Sequence, residues 1–214
     1  CLRLGSPFTY AALTPEEASA PGKMDYAEMT NVVYGDFSPL DSGNILKINA
    51  SKSFAQRSVI AADLAAGESS LRGYTPCGDN EAALAVARSL GAKVRMDGSD
   101  ILIEGIGSLG RPTFSGSILD VGESGLLTRL MIPLAAAMSE AAVEIHGHGT
   151  LPERPLKGAS DIMAQFGTVL RPLSEEAARS SSVKVPLSVK GPLLPGKADI
   201  SGKDGSQLIS GLLV

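Results

Sequence analysis

From Asn44 onward the sequence runs through one order of elements more than twice. A long internal repeat constrains a fold more than any single residue does. The first unit opens with a strand at 45–48. The polar loop Asn49-Ala50-Ser51-Lys52-Ser53 leads into a helix through 59–64, which Gly67 is expected to stop. A short strand at 70–73 follows. A helix over about 79–90 comes next, with Ala83, Val86, Ala87 and Leu90 on one face and Gly91 as its stop. Strands near 93–96 and 101–104, joined at Asp97-Gly98, close the unit.

The second unit repeats the order. A strand at 116–120 meets the loop Gly122-Glu123-Ser124-Gly125, and a helix runs to about 138. A strand at 142–145, a helix over about 156–166 and strands near 168–171 and 185–189 complete it. Gly91 and Gly167 mark the same point in the two units. A third unit starts with a strand at 198–201, a loop at 202–205 and a helix from about Ser206. The expected fold is an α/β (α+β) domain of pseudo-symmetric β-α-β-α-β-β units, the third incomplete.

Residues 1–35 read separately. A strand and its exit loop run to Tyr10, Ser19-Ala20-Pro21-Gly22 is turn chemistry, and 25–34 has helical spacing. Residues 36–43 have linker composition, so 44–214 is taken as the main domain. Both ends read as internal to a longer chain. The sequence begins at Cys1 and stops within Leu208-Ile209-Ser210-Gly211-Leu212-Leu213-Val214 without a closing stop signal.

A net charge of −4 opposes bulk binding to nucleic acid or anionic membranes, but not to a small anion where cations converge. No apolar run approaches the roughly 20 residues of a membrane span, since Thr128, Arg129 and Pro133 interrupt the longest. No leader pattern is read, and Cys1 and Cys77 form no framework or metal spacing. Two free thiols in a reducing cytoplasm are expected.

Each unit places a small polar loop between a strand end and a helix start: Ser51-Lys52-Ser53, Gly122-Glu123-Ser124-Gly125 and Gly205-Ser206-Gln207. Unpaired N–H groups and the helix dipole favour anions at such ends. One such loop alone reads as a cap or turn; three at equivalent positions point to a ligand. Arg57 should lie back over the helix turn that begins near Ser53. Two cations at a helix start oppose its dipole by about 0.3–1 kcal/mol each. Charge-assisted bonds to a phosphate, about 1.5–3 kcal/mol, would offset that. Arg129, in an apolar helix, must reach an acid, a ligand or the surface. Arg154 stands in Pro152-Glu153-Arg154-Pro155, where its fork suits a carboxylate or phosphate, or pairs with Glu153. His146 and His148 lack companion ligands, so no metal is expected.

These residues resemble the 5-enolpyruvylshikimate-3-phosphate (EPSP) synthase family. Ser51-Lys52-Ser53-Phe54-Ala55-Gln56-Arg57 looks like its Ser-Lys-Ser-x-x-x-Arg signature. Gly122-Glu123-Ser124-Gly125-Leu126-Leu127-Thr128-Arg129 resembles Gly-Asn-Ala-Gly-Thr-x-x-Arg. Glu153-Arg154-Pro155 and Ser206-Gln207 match Glu-Arg-Pro and Ser-Ser-Gln.

The resemblance implies the enolpyruvyl transferase fold, no cofactor, and transfer of the enolpyruvyl group of phosphoenolpyruvate to the 5-hydroxyl of shikimate 3-phosphate. It assigns Lys52 to both substrates and to catalysis. Ser53, Arg57 and Ser206 fall to shikimate 3-phosphate, Gly125 and Arg154 to phosphoenolpyruvate, and Gln207 lies between them. Asp79, Glu123 and Arg129 are further candidates. Glu123, Leu126 and Gly205 depart from the family pattern, and Glu123 would bring negative charge near phosphoenolpyruvate unless Lys52 or Arg129 pairs with it.

The family's acid and base groups belong to a second domain, so a chain of this extent is expected to bind rather than turn over. Residues 1–35 are similar to the end of a type I 3-dehydroquinate dehydratase, which makes Ser19 a candidate substrate-loop residue. The alternatives are a transferase acting on UDP-N-acetylglucosamine and a non-catalytic anion-binding domain.

Overall fold

The computed structural model describes residues 51–107, 116–179, 182–198, 200 and 205–213. The expected strand at 45–48, the linker and everything before it lie outside the described residues.

The first unit comprises α1 (Lys52–Leu64), β1 (Ala66–Leu71), α2 (Gly78–Leu90), β2 (Lys93–Asp97) and β3 (Asp100–Ile106). The helix face predicted for α2 is the buried one, and Gly91 ends it in the left-handed conformation at φ 114°. Asp97 pairs with Asp100, so the hairpin turns on Gly98-Ser99, one residue later than predicted.

Gly67 is not the helix stop. The helix ends at Leu64 and is capped by Ala65, whose N–H bonds to Ala61 O, and β1 begins at Ala66. Gly67 lies inside β1 opposite Gly105. Pairing with the apolar β3 thus makes a strand of Ala-Gly-Glu-Ser, where propensity alone would not.

The second unit comprises β4 (Ile118–Asp120), α3 (Gly125–Met138), β5 (Val143–His146), α4 (Ala159–Ala164), β6 (Val169–Pro172), α5 (Glu175–Ala178) and β7 (Leu187–Lys190). Helix α4 is shorter than predicted, because Gly158 in the left-handed conformation stands before it. The sequence reading did not foresee α5. In the third unit, Ala198 and Ile200 belong to no strand, and α6 (Gln207–Leu212) follows Ser206.

The sheets express the repeat. The first has the order β1-β3-β2, all antiparallel. The second has β4-β5-β7-β6, in which β5-β7-β6 reproduces the first sheet and β4 adds a parallel pair to β5. One apolar cluster runs through both units, including Val59, Leu84 and Ile103 from the first and Leu127, Met131 and Ile145 from the second. No described helix is long and apolar enough to cross a membrane.

Close backbone approach locks helix to sheet. A Cβ on Gly105 would fall on the carbonyl oxygens of Ala62 and Ala65 and lie 2.7 Å from that of Asp63. Backbone atoms cannot swing aside as a side chain can. The α1 face that packs inward also carries Asp63, fully buried, with neither carboxyl oxygen hydrogen-bonded among the described residues. Desolvation pushes its pKa up from 3.8 to about 7.

Gly105→Ala is expected to destabilise the fold by about 1–3 kcal/mol, through overpacking against these carbonyls. A lowered midpoint in denaturant unfolding checks it. Asp63 ionises in the unfolded chain before it does in the folded one. Its favourable share of stability is therefore full below about pH 4 and lost as pH rises through about 7. Asp63→Asn should remove this slope. The variant should gain on the parent in thermal midpoint between about pH 4 and pH 7, and a constant difference would contradict the assignment.

Candidate functional site

Lys52 is the first residue of α1, and Ser51 caps that helix by accepting the Phe54 N–H at 3.4 Å. No acidic residue lies in its first turn. Arg57 folds back over the same turn and donates Nη1 to the Ser53 carbonyl at 3.1 Å. Two cations and a positive helix end therefore coincide, beside the exposed Ser53. Lys52 Nζ meets Asp79 at 3.0 Å, with the two side chains 57% and 19% exposed. Asp79 sits in the first turn of α2, where the helix dipole favours a carboxylate. An ion pair this open to water is worth about 1 kcal/mol or less, so an incoming anion could share Lys52 at little cost.

The second loop is tightly specified. Asp120 Oδ1 accepts the Gly122 N–H at 2.9 Å, with Gly122 at φ 62°. Ser124 caps α3 by accepting the Leu127 N–H at 3.1 Å, and Gly125 is the first helical residue. Among the described residues Arg129 pairs with no acid: its Nη1 donates to Gly125 O at 2.9 Å and its Nη2 to Pro155 O at 3.4 Å. Burial lowers its affinity for its proton. One guanidinium thus ties the Gly125 loop to the Glu153-Arg154-Pro155 segment, bringing those two predicted sites together. Arg154 itself leaves a 3-10 turn, Leu151–Glu153, in extended conformation. It donates Nη2 to Thr150 Oγ1 at 2.6 Å. Among the described residues it has no ion pair with Glu153.

Glu123 pairs with neither Lys52 nor Arg129 among the described residues. Its carboxylate lies over Gly149, where a Cβ would overlap it. The charge is therefore placed against the loop after β5. Leu126 is a core residue, 6% exposed. Gly205 adopts φ 92°, a conformation that suits glycine better than the serine usual there. Ser206 is exposed, and Gln207 opens α6. Helix α6 is referenced to α3 at Gly211, where a Cβ would meet Pro133 Cγ at 2.7 Å and the Arg129 and Leu130 carbonyls at 2.9 Å. Ser19 lies outside the described residues.

His146 Nε2 lies 2.8 Å from Glu144, and His148 Nδ1 4.0 Å from Asp120. Among the described residues no group of three or more His, Cys, Asp or Glu is placed to hold a metal. Cys77 stands just before α2 as a partly exposed free thiol.

One contact was not anticipated from the sequence. Ser124 Oγ donates to Gln56 Oε1 at 2.5 Å, both side chains being buried. A signal was available. Gln56, Val59, Ile60 and Asp63 stand at i, i+3, i+4 and i+7, so Gln56 occupies the apolar face of α1 and needs a buried partner.

Three comparisons bear on this arrangement. The family model described as EPSP synthase (3-phosphoshikimate 1-carboxyvinyltransferase) matches residues 40–214. The 3-phosphoshikimate 1-carboxyvinyltransferase of Bacillus velezensis is 30% identical over 171 residues, covering 79% of this chain and 38% of that protein. The protein of the same name from Methanosphaerula palustris is 32% identical over 166 residues, covering 77% and 37%. The chain therefore spans under two fifths of the length of these curated relatives. Among solved structures, an EPSP synthase from Acinetobacter baumannii superposes with a TM-score of 0.66 at 23% identity, over 78% of this chain and 37% of that one. That likeness shows the fold. With the family model matched from residue 40 to residue 214, this chain belongs to the EPSP synthase family.

Proposed function

We propose that the chain forms the substrate-holding half of an enolpyruvyl-transfer site, binding shikimate 3-phosphate and phosphoenolpyruvate. The observation that carries this reading is the coincidence of Lys52, Arg57 and the positive end of α1, whose first turn holds no acidic residue, with one solvent-open ion-pair partner for Lys52 among the described residues. Ser53, Arg57 and Ser206 would hold shikimate 3-phosphate. Gly125 and Arg154 would hold phosphoenolpyruvate, and Lys52 and Gln207 would serve both. In the reaction the 5-hydroxyl attacks C2 of phosphoenolpyruvate while C3 is protonated, and the tetrahedral adduct then expels phosphate. Here the residues position the reactants and neutralise their charge; holding two reactants in register can supply about 7–11 kcal/mol of a barrier.

The proton transfers are assigned to the length of the relatives that this chain does not span. The Glu123 carboxylate, turned onto Gly149, leaves the Lys52 and Arg154 charges for the substrates. Residues 1–35 add a separate proposal, a terminal piece of a type I 3-dehydroquinate dehydratase with Ser19 in its substrate loop, supported by Ser19-Ala20-Pro21-Gly22. A cytoplasmic location is part of the same reading.

Calorimetric titration with shikimate 3-phosphate should show Lys52→Met weakening binding about ten- to hundredfold, as loss of a charge-assisted contact predicts. Unchanged affinity would remove Lys52 from the site. The chain alone should release no phosphate from phosphoenolpyruvate with shikimate 3-phosphate present; release would show that it holds every group the reaction needs. Tight binding of UDP-N-acetylglucosamine with no response to shikimate 3-phosphate would favour the related sugar-nucleotide transferase instead.

A further inference from the structure

We infer that Gln56 and Ser124 are positioning residues that couple the Lys52 loop to the Gly125 loop; the inference rests on the substrate reading above. Gln56 projects from the second turn of α1. Its Nε2 donates to the Lys52 carbonyl at 3.4 Å, and its Oε1 accepts from Ser124 Oγ at 2.5 Å. The Ser124 hydroxyl has one proton, which goes to Gln56, and its lone pair takes the Leu127 N–H that begins α3. A continuous polar path therefore runs from the Lys52 backbone, through two buried side chains, to the first turn of α3. The partners are 68 residues apart in sequence and belong to different units. Among the described residues no other side-chain hydrogen bond joins these two helices.

Burial makes the link stringent. The two side chains are 0% and 1% exposed, so water cannot replace either partner if the loops drift apart. The loops also carry different predicted ligands: Lys52, Ser53 and Arg57 on one side, Gly125 on the other. An anion that draws the α1 start toward itself shifts Gln56, and Gln56 carries the α3 cap with it.

Two measurements test the role. The first needs no ligand. Amide hydrogen exchange of the first α3 turn, at Leu127 and Thr128, should quicken in Gln56→Met although that residue lies on another helix. Unchanged exchange overturns the proposal. The second is the affinity of each substrate measured alone and with the other saturating. In the parent chain shikimate 3-phosphate and phosphoenolpyruvate should each raise affinity for the other about fivefold or more.

Gln56→Met should bring that ratio close to one while changing each separate affinity by less than about twofold. The double variant Gln56→Met with Ser124→Ala removes both buried polar groups. It should be no less stable than Gln56→Met alone, yet still uncoupled. A ratio restored along with stability would mean that the pair is merely structural, and would overturn the proposal. If the parent chain binds neither substrate, the substrate reading fails, and the exchange result alone decides whether the bridge holds the two loops together.

Discussion

The docking of each unit's first helix against a glycine in or just after its last strand governs the rest of the structure. In the first unit α1 brings the carbonyls of Ala62, Asp63 and Ala65 onto Gly105. Leu64 O lies 2.5 Å from where a Cβ on Gly107 would stand. The Gly107 N–H closes the contact by donating to Ala65 O at 3.0 Å. In the second unit α3 does the same, with Ala136 O against Gly191 just after β7, and the Leu193 N–H donating to Ala136 O at 3.2 Å. A helix whose C-terminal end is held on a sheet has its N-terminal end held at a set distance, because its length is set. Lys52 and Gly125 are the first residues of these two helices. Packing at the far end of each helix and the Gln56–Ser124 bond at the near end together place them.

This division of labour explains the hydrogen bonds at the front ends. Backbone packing sets helix position, and local chemistry then shapes each loop. Ser51 and Ser124 supply caps, and Asp120 fixes the Gly122 turn. Arg129 then reaches from α3 across to Pro155 and brings the segment of Arg154 into line. That guanidinium would be costly in the apolar helix if it were unpaired. Two carbonyl acceptors answer much of that need without cancelling the charge, so the neighbourhood stays electropositive.

The repeat was legible because its punctuation is chemical: Gly91 and Gly167 both take positive φ, and both stand after a helix and before a strand pair. The loop positions were legible for the same reason, each being a small polar run before an apolar helical pattern. What the sequence hid was set by partners far along the chain. Nothing in Ala66-Gly67-Glu68-Ser69 announces a strand until β3 lies beside it. For Arg129 the sequence offered an acid, a ligand or the surface, and its carbonyl acceptors are invisible to a residue pattern. Gln56 and Asp63 share one helix face, yet among the described residues one meets a hydroxyl and the other has no hydrogen-bond partner. Periodicity reports that a polar residue is buried, and only three dimensions report its partner.

The site's charge arrangement has its own logic. A cation that is to meet an incoming anion must be oriented beforehand, yet not neutralised so well that it is unavailable. Asp79 meets both needs for Lys52. It is largely shielded and held by the start of α2, while Lys52 stays more than half exposed, so the pair orients the ammonium at small energetic cost. A buried pair would have been much harder to open. Glu123 follows the complementary rule. A carboxylate aimed into the same cleft would compete with an anionic ligand, but Gly149 leaves room for it to lie over the neighbouring loop. A Cβ at that position would push the carboxylate off its seat. The seat of the Glu123 carboxylate therefore depends on a glycine 26 positions away.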